Sequence, residues 1–100
     1  MKPYISYQGV LTAGDTTIFT VPSLKMYAVS ALRVNNPLAY DFTLKIYQFS
    51  TNTTISIYDL ALSAGDTVTD NYIYYLDVND QLILNSSIPN TSYIISVLTY

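Results

Sequence analysis

Apolar residues in this chain recur at every second position, run after run, and no segment sustains a helical period. In DFTLKIYQF, Phe42, Leu44 and Ile46 fall on one side, with Thr43 and Lys45 on the other. In KMYAVSALRV, Met26, Ala28, Ser30, Leu32 and Val34 alternate with Tyr27, Val29, Ala31 and Arg33. Ile55 and Ile57 share a side of TTISIYDL, and Leu82 and Leu84 share a side of DQLILN. The last run, SYIISVLTY, is apolar on both sides, which predicts a strand covered on both faces. Tyr, Thr, Ile and Val dominate these runs, and such side chains fit a pleated surface. The nearest approach to a helix, YDLALSAG, is too short to hold one, and Leu60 and Leu62 continue a strand alternation equally well.

Turn formers separate the runs at Gly14-Asp15, Pro22-Ser23, Asn35-Asn36-Pro37, Thr51-Asn52, Gly65-Asp66, Asp77 to Asp80, and Ser87 to Asn90. Strands are therefore expected near residues 4–10, 16–21, 25–35, 40–50, 53–61, 67–76, 81–86 and 92–100. About eight strands at this spacing predict an all-β fold: one antiparallel β-sandwich domain over residues 1–100. LTAGDT at 11–16 returns as LSAGDT at 62–67. In each copy Leu ends a strand, Gly takes a tight-turn backbone, Asp bonds nearby backbone, and Thr opens the next strand. One such corner per half suits two four-strand halves, as in a jelly-roll-like sandwich. Spacing alone does not separate that strand order from an immunoglobulin-like one.

Half of the 100 residues are hydrophobic and 11% are charged, which excludes a disordered tail. The net charge is −3, and Lys2, Lys25, Arg33 and Lys45 are scattered. No basic cluster exists to neutralise phosphates, so nucleic acid is not an expected partner. Nor is a membrane: no apolar stretch approaches the ~18 residues of a spanning helix, and MKPYISYQGV does not read as a signal peptide. Sequons at Asn52, Asn85 and Asn90 carry little weight without a secretory signal.

The catalytic inventory is thin. There is no cysteine, histidine or glutamate, so no disulfide, thiolate zinc site, imidazole base or Ser-His-Asp arrangement is possible within these residues. All seven acids are aspartates, nearly all at predicted turns or strand ends. Asp66, Asp70, Asp77, Asn79 and Asp80 are the candidates for calcium, but their spacing matches no EF-hand loop and turn capping accounts for them. No enzyme activity, cofactor or resident metal is expected.

Eleven tyrosines stand against three phenylalanines and no tryptophan. Tyrosine joins an apolar body to a polar tip and suits a surface that meets another molecule. It also pairs well across neighbouring strands. Tyr4, Tyr7, Tyr27, Tyr47, Tyr72 and Tyr74 are the interface candidates, Tyr27 and Tyr47 because they lie opposite the expected core side. Val29, Ala31, Ile94 and Leu98 are expected on exposed faces too. With few charges guarding the edges, association with copies of itself or a scaffold removes an edge-pairing hazard.

The segment TTIFTVPSLKMYAVSALRVNNPLAYDFTLKIYQ, residues 16–48, resembles a pattern of small tailed-phage virion proteins. Thr20-Val21-Pro22 followed by Asn35 is its most particular part. Leu62-Ser63-Ala64-Gly65, the Asn79-to-Ile83 strand and the closing Tyr93-to-Tyr100 strand continue it. The pattern's usual Ala-Gly or Gly-rich first turn is here Ser23-Leu24. The resemblance implies a non-enzymatic virion component, a capsid decoration or auxiliary protein, acting as a symmetric oligomer. Its partner would be the major capsid protein or another virion protein. A receptor- or glycan-binding module of a phage fibre or tail is the alternative.

Overall fold

The computed structural model describes residues 4–100, which form nine antiparallel strands in two sheets. They are β1 (Tyr4–Leu11), β2 (Gly14–Thr20), β3 (Tyr27–Asn35), β4 (Tyr40–Gln48), β5 (Thr53–Leu62), β6 (Thr67–Asp70), β7 (Tyr74–Leu76), β8 (Gln81–Ser86) and β9 (Thr91–Thr99). One sheet runs β1-β9-β3-β6, with β7 also paired to β3, and the other runs β2-β8-β4-β5. This is the strand order of a jelly roll, the fold class the alternation and the doubled corner point to.

The inward residues make one dry layer. Phe42, Leu44, Leu82 and Leu84 from one sheet belong to the same buried cluster as Leu32, Val34, Ile95 and Val97 from the other. Burying each such side chain stabilises the fold by roughly 1.5–3 kcal/mol before chain entropy is counted.

Three local departures from the strands expected of the sequence shape the surface. The first is in β3, whose pairing with β9 slips between Val29 and Ala31. Ser30 is the extra residue, and its hydroxyl donates to the Ser96 carbonyl at 3.2 Å. A bulge reverses the inside-outside parity of everything before it. Leu32 and Val34 face inward as expected, but upstream it is Tyr27 and Val29 that join the core. Tyr27 is 7% exposed and meets Phe19 edge-on at 5.2 Å. The expectation that Tyr27 and Val29 lie on an exposed face is therefore corrected.

The second is the run 67–76, which is two strands rather than one. The Asp70 carboxylate accepts the Tyr72 amide at 2.8 Å, a local side-chain turn that peels residues 71–73 off the sheet. The third is β9, which is buried on one side only. Ile95 and Val97 are in the core, while Ile94 is exposed and Leu98 half-buried on the outside.

Polar residues stitch both ends. At one end, Asn36 Nδ2 donates to the Pro89 carbonyl (3.0 Å) and to Thr91 Oγ1 (2.9 Å), and its Oδ1 accepts the Leu38 amide. Asn35 Nδ2 reaches the Gly65 carbonyl, and the Asn90 amide donates to the Leu11 carbonyl. Four inter-sheet loops are thus joined. At the other end the Asp80 carboxylate accepts the amides of Phe49 (3.0 Å) and Asp77 (2.9 Å). The backbone of Asp80 and Asn79 also pairs with Val21. Asn36 and Asp80 are both buried.

Both LxAGDT copies are corners where the chain passes from one sheet to the other. Gly14 and Gly65 have φ of 99° and 81°, the left-handed backbone that glycine alone adopts without strain. The aspartates diverge. Asp66 closes its turn by accepting the Ser63 amide. Asp15 instead leaves the turn and accepts from Asn85 Nδ2 (2.7 Å) and Lys45 Nζ (3.0 Å) across its own sheet. Leu24 is a different case: a leucine with φ of 64°, where the other non-glycine residues with positive φ among the described residues are Asn52, Asn79 and Asn90. The short polar side chain of asparagine tolerates that backbone; leucine's does not.

Candidate assembly interface

The two outer faces differ in chemistry. Residues directly opposite one another across strands share a face. On the β1-β9-β3-β7 sheet this places Tyr4, Leu98, Ala28 and Tyr75 in one row across four strands. The next rows carry Ser6, Ser96 and Ala31, then Gln8, Ile94 and Arg33. Tyr4, Tyr75 and Ile94 are exposed, and Arg33 is the single charge in these rows. Serine and alanine in the middle keep the surface low. A mainly apolar hollow of about 300 Å³ opens beside the β3 bulge, lined by Ala31, Arg33, Thr69 and Ile94.

The outer face of the β2-β8-β4-β5 sheet is polar and spends its groups on itself. Lys45 pairs with Asp15, Thr43 bonds Asp59, and the Tyr47 hydroxyl donates to Asn52 Oδ1 at 2.7 Å. The Asn85 bond, and then the Lys45 bond, hold the Asp15 carboxyl below its ordinary range.

The six candidate tyrosines do not share one surface. Tyr4 lies on the apolar outer face and Tyr47 on the polar one. Tyr7 and Tyr27 turn inward around Phe19, with Tyr7 5.1 Å from that ring. Burial, and then the neighbouring Tyr27 hydroxyl, push the Tyr7 phenol up to about 12. Tyr72 is 71% exposed in the β6–β7 loop, its ring 5.1 Å from that of Tyr74. Tyr74 packs against the core, and its hydroxyl and that of Tyr58 both donate to Asp70 Oδ2, at 2.8 and 2.9 Å. Burial first, then the Asp70 bond, raise both phenols, that of Tyr74 to about 12. Tyr75, outside the candidate set, is on the apolar face. It follows the strand break at 71–73, so only the position of that break reveals which way it points.

The aspartates proposed for calcium are dispersed by the fold. Asp66 and Asp80 serve opposite ends, and Asp70 holds the tyrosine hydroxyls. Among the described residues no three His, Cys, Asp or Glu side chains converge as a metal site would require.

No family model matches this sequence, and no curated protein matches it. Solved structures do share its fold. A protein of the Bacillus endospore appendages, described as disulfide-linked pili, superposes with a TM-score of 0.63 at 13% identity, over 97% of this chain and 83% of that one. A chain of the T13 viral particle of infectious bursal disease virus gives 0.58 at 11% identity, over 96% of this chain and 30% of that one. A pentameric capsid protein from metagenomic phage sequences gives 0.50 at 14%, over 93% of this chain and 60% of that one. At these identities the likeness is one of fold. The protein is an antiparallel jelly-roll sandwich, a fold that capsid proteins and pili use to build assemblies.

Proposed function

We propose that this chain is a non-enzymatic structural subunit of a virion, an auxiliary protein that packs on the capsid surface as a symmetric oligomer. The observation that carries this reading is the row Tyr4–Leu98–Ala28–Tyr75 with Ile94 below it, rows bearing one charge on a protein whose other outer face is mainly polar. Three strands roughly 25 Å long and about 4.8 Å apart, with the short β6 and β7 beside β3, present an area of several hundred Å², the order of one side of a specific interface. The likeness of fold to a phage capsid protein and to pilus subunits supports the same reading. These residues contain no cysteine, so a disulfide through this domain is not among its contacts.

The test is copy number. Mass spectrometry of purified virions, calibrated on the major capsid protein, is expected to find this chain in numbers that match the lattice. A few copies per particle would move it to a tail or fibre, and absence from the particle would overturn the reading.

A further inference from the structure

Leu24 carries two independent oddities. Its backbone sits at a left-handed φ of 64°, and its side chain is 97% exposed. A leucine gains nothing from either within its own protomer. Strained, sparsely populated backbone persists where the surroundings hold it, and it clusters at sites that bind. Here Val21, just before the turn, is locked by two backbone bonds to Asn79 and Asp80, and Lys25 N closes the turn onto the Pro22 carbonyl. The loop is built to hold a leucine out in solvent with an exposed lysine, Lys25, beside it.

Two apolar hollows on the molecule have room for such a side chain. A leucine truncated in a protein core leaves a cavity on the order of 150 Å³. The hollow by Ala31 and Ile94 is large enough, but Arg33 lines it and would face Lys25 as a like charge. The other, about 230 Å³, opens on the flank where the two sheets part, between edge strand β5 and β6. Tyr58, Leu60 and Val68 floor it, and Asp70 lies in its wall. This hollow offers a leucine an apolar floor and a neighbouring lysine one acidic lining residue. β5 is a ten-residue edge strand without lysine, arginine or proline, interrupted by a bulge opposite Leu44 and Lys45.

We propose that Leu24 of one copy inserts into the β5–β6 hollow of the next, with Lys25 meeting the Asp70 carboxylate in its wall. The inference rests on the reading of the chain as an assembly subunit. Knob and hollow are different patches on one surface, so the contact is either exchanged reciprocally in a two-fold dimer or, repeated head to tail, closes a ring or extends a filament.

The absence of cysteine makes the test direct. Leu24→Cys and Leu60→Cys variants, mixed and treated with a short bis-maleimide, are expected to cross-link about tenfold more than Leu24→Cys mixed with Ala31→Cys. No excess overturns the proposal. In a second measurement, Leu24→Gly relieves the backbone while deleting the knob. Its melting temperature should hold or rise while its assembly weakens about tenfold or more. A lower melting temperature with unchanged assembly assigns Leu24 to its own protomer and overturns the proposal. Light scattering on the wild type separates the two readings. A wild-type monomer at all concentrations removes the assembly reading as well, whereas an oligomer indifferent to Leu24→Gly removes this contact alone.

Discussion

The side-chain amide of Asn36 donates to Thr91 Oγ1 at 2.9 Å across 55 residues of sequence, and through it the β3–β4 loop is bolted to the β8–β9 loop. The same amide holds the Pro89 carbonyl, and the side-chain oxygen takes the Leu38 amide. Thr91 Oγ1 is in turn 2.7 Å from the Ser86 hydroxyl, so the group is a small buried polar network in a protein held mainly by apolar contacts. Asn36→Ala removes three bonds and strands buried partners. The expected loss is about 2–4 kcal/mol, read as a shift in the denaturant midpoint at constant slope. Asn36→Asp keeps the acceptor and turns the donor into a second acceptor facing the Pro89 carbonyl, so it should not rescue.

Asp80 does the matching work at the opposite end, one oxygen for the Phe49 amide and the other for the Asp77 amide. Asp80→Asn keeps one acceptor and sets an NH₂ against an N–H. A loss of about 1–2 kcal/mol is expected, with Asp80→Ala costing more. Amide exchange should locate the effect: protection falls at Phe49 and Asp77 before it falls in the core strands.

Strand composition, most strand positions and a sandwich of jelly-roll type were legible because alternation and turn chemistry are local and the core is made of residues that alternation names directly, such as Phe42, Leu44, Leu82 and Leu84; the strand order itself was not, because spacing fits an immunoglobulin-like order equally well. Tyr27 was misplaced because the bulge at Ser30 depends on how β3 meets β9, a non-local matter with no glycine to announce it. The break at 71–73 follows from an Asp70 side chain turning on its own backbone, which reads in sequence like any other strand aspartate. Leu24 was visible only as a substitution. Ser23-Leu24 replaces the glycine-rich turn expected there, and the φ of 64° says why a leucine in that place is costly. Which tyrosines share a surface could not be read without knowing which strands are neighbours.

The Tyr58–Asp70–Tyr74 cluster gives the fold an alkaline limit. Both phenols titrate above their ordinary value of 10.0 in the folded protein, Tyr74 near 12. A group whose folded value is raised contributes stability that is whole below its unfolded value and is lost as pH rises toward the folded one. Stability should therefore be flat up to about pH 10 and fall between there and about pH 12. Tyr74→Phe should reduce that slope at a cost of about 1 kcal/mol at neutral pH. Phenolate absorbance against pH checks it: a late-titrating class of tyrosines is expected in the wild type and a smaller one in the variant.

Gly65 marks the second corner, at φ of 81° with nothing within 4 Å of where a Cβ would stand. Space is not limiting there, so backbone conformation alone sets the cost. Gly65→Ala should lose about 1–2 kcal/mol, and Gly65→Asn clearly less, because asparagine enters the left-handed region more readily. Equal losses for the two would mean that the corner is held by side-chain crowding instead.

Ile94 stands exposed in the middle of the apolar face, opposite Gln8 on one neighbour and Arg33 on the other. Ile94→Lys sets a second cation beside Arg33 without touching the core. The isolated domain should keep its stability within about 0.5 kcal/mol, as surface substitutions usually do. Packing against a capsid or a second copy should suffer far more, because a lysine at the centre of an apolar contact must be desolvated next to a like charge. Binding to purified capsids, measured beside the melting temperature of the same variant, separates the two effects. Lost binding with an unchanged melting temperature assigns the face to assembly, and unchanged binding moves the interface to another part of the surface.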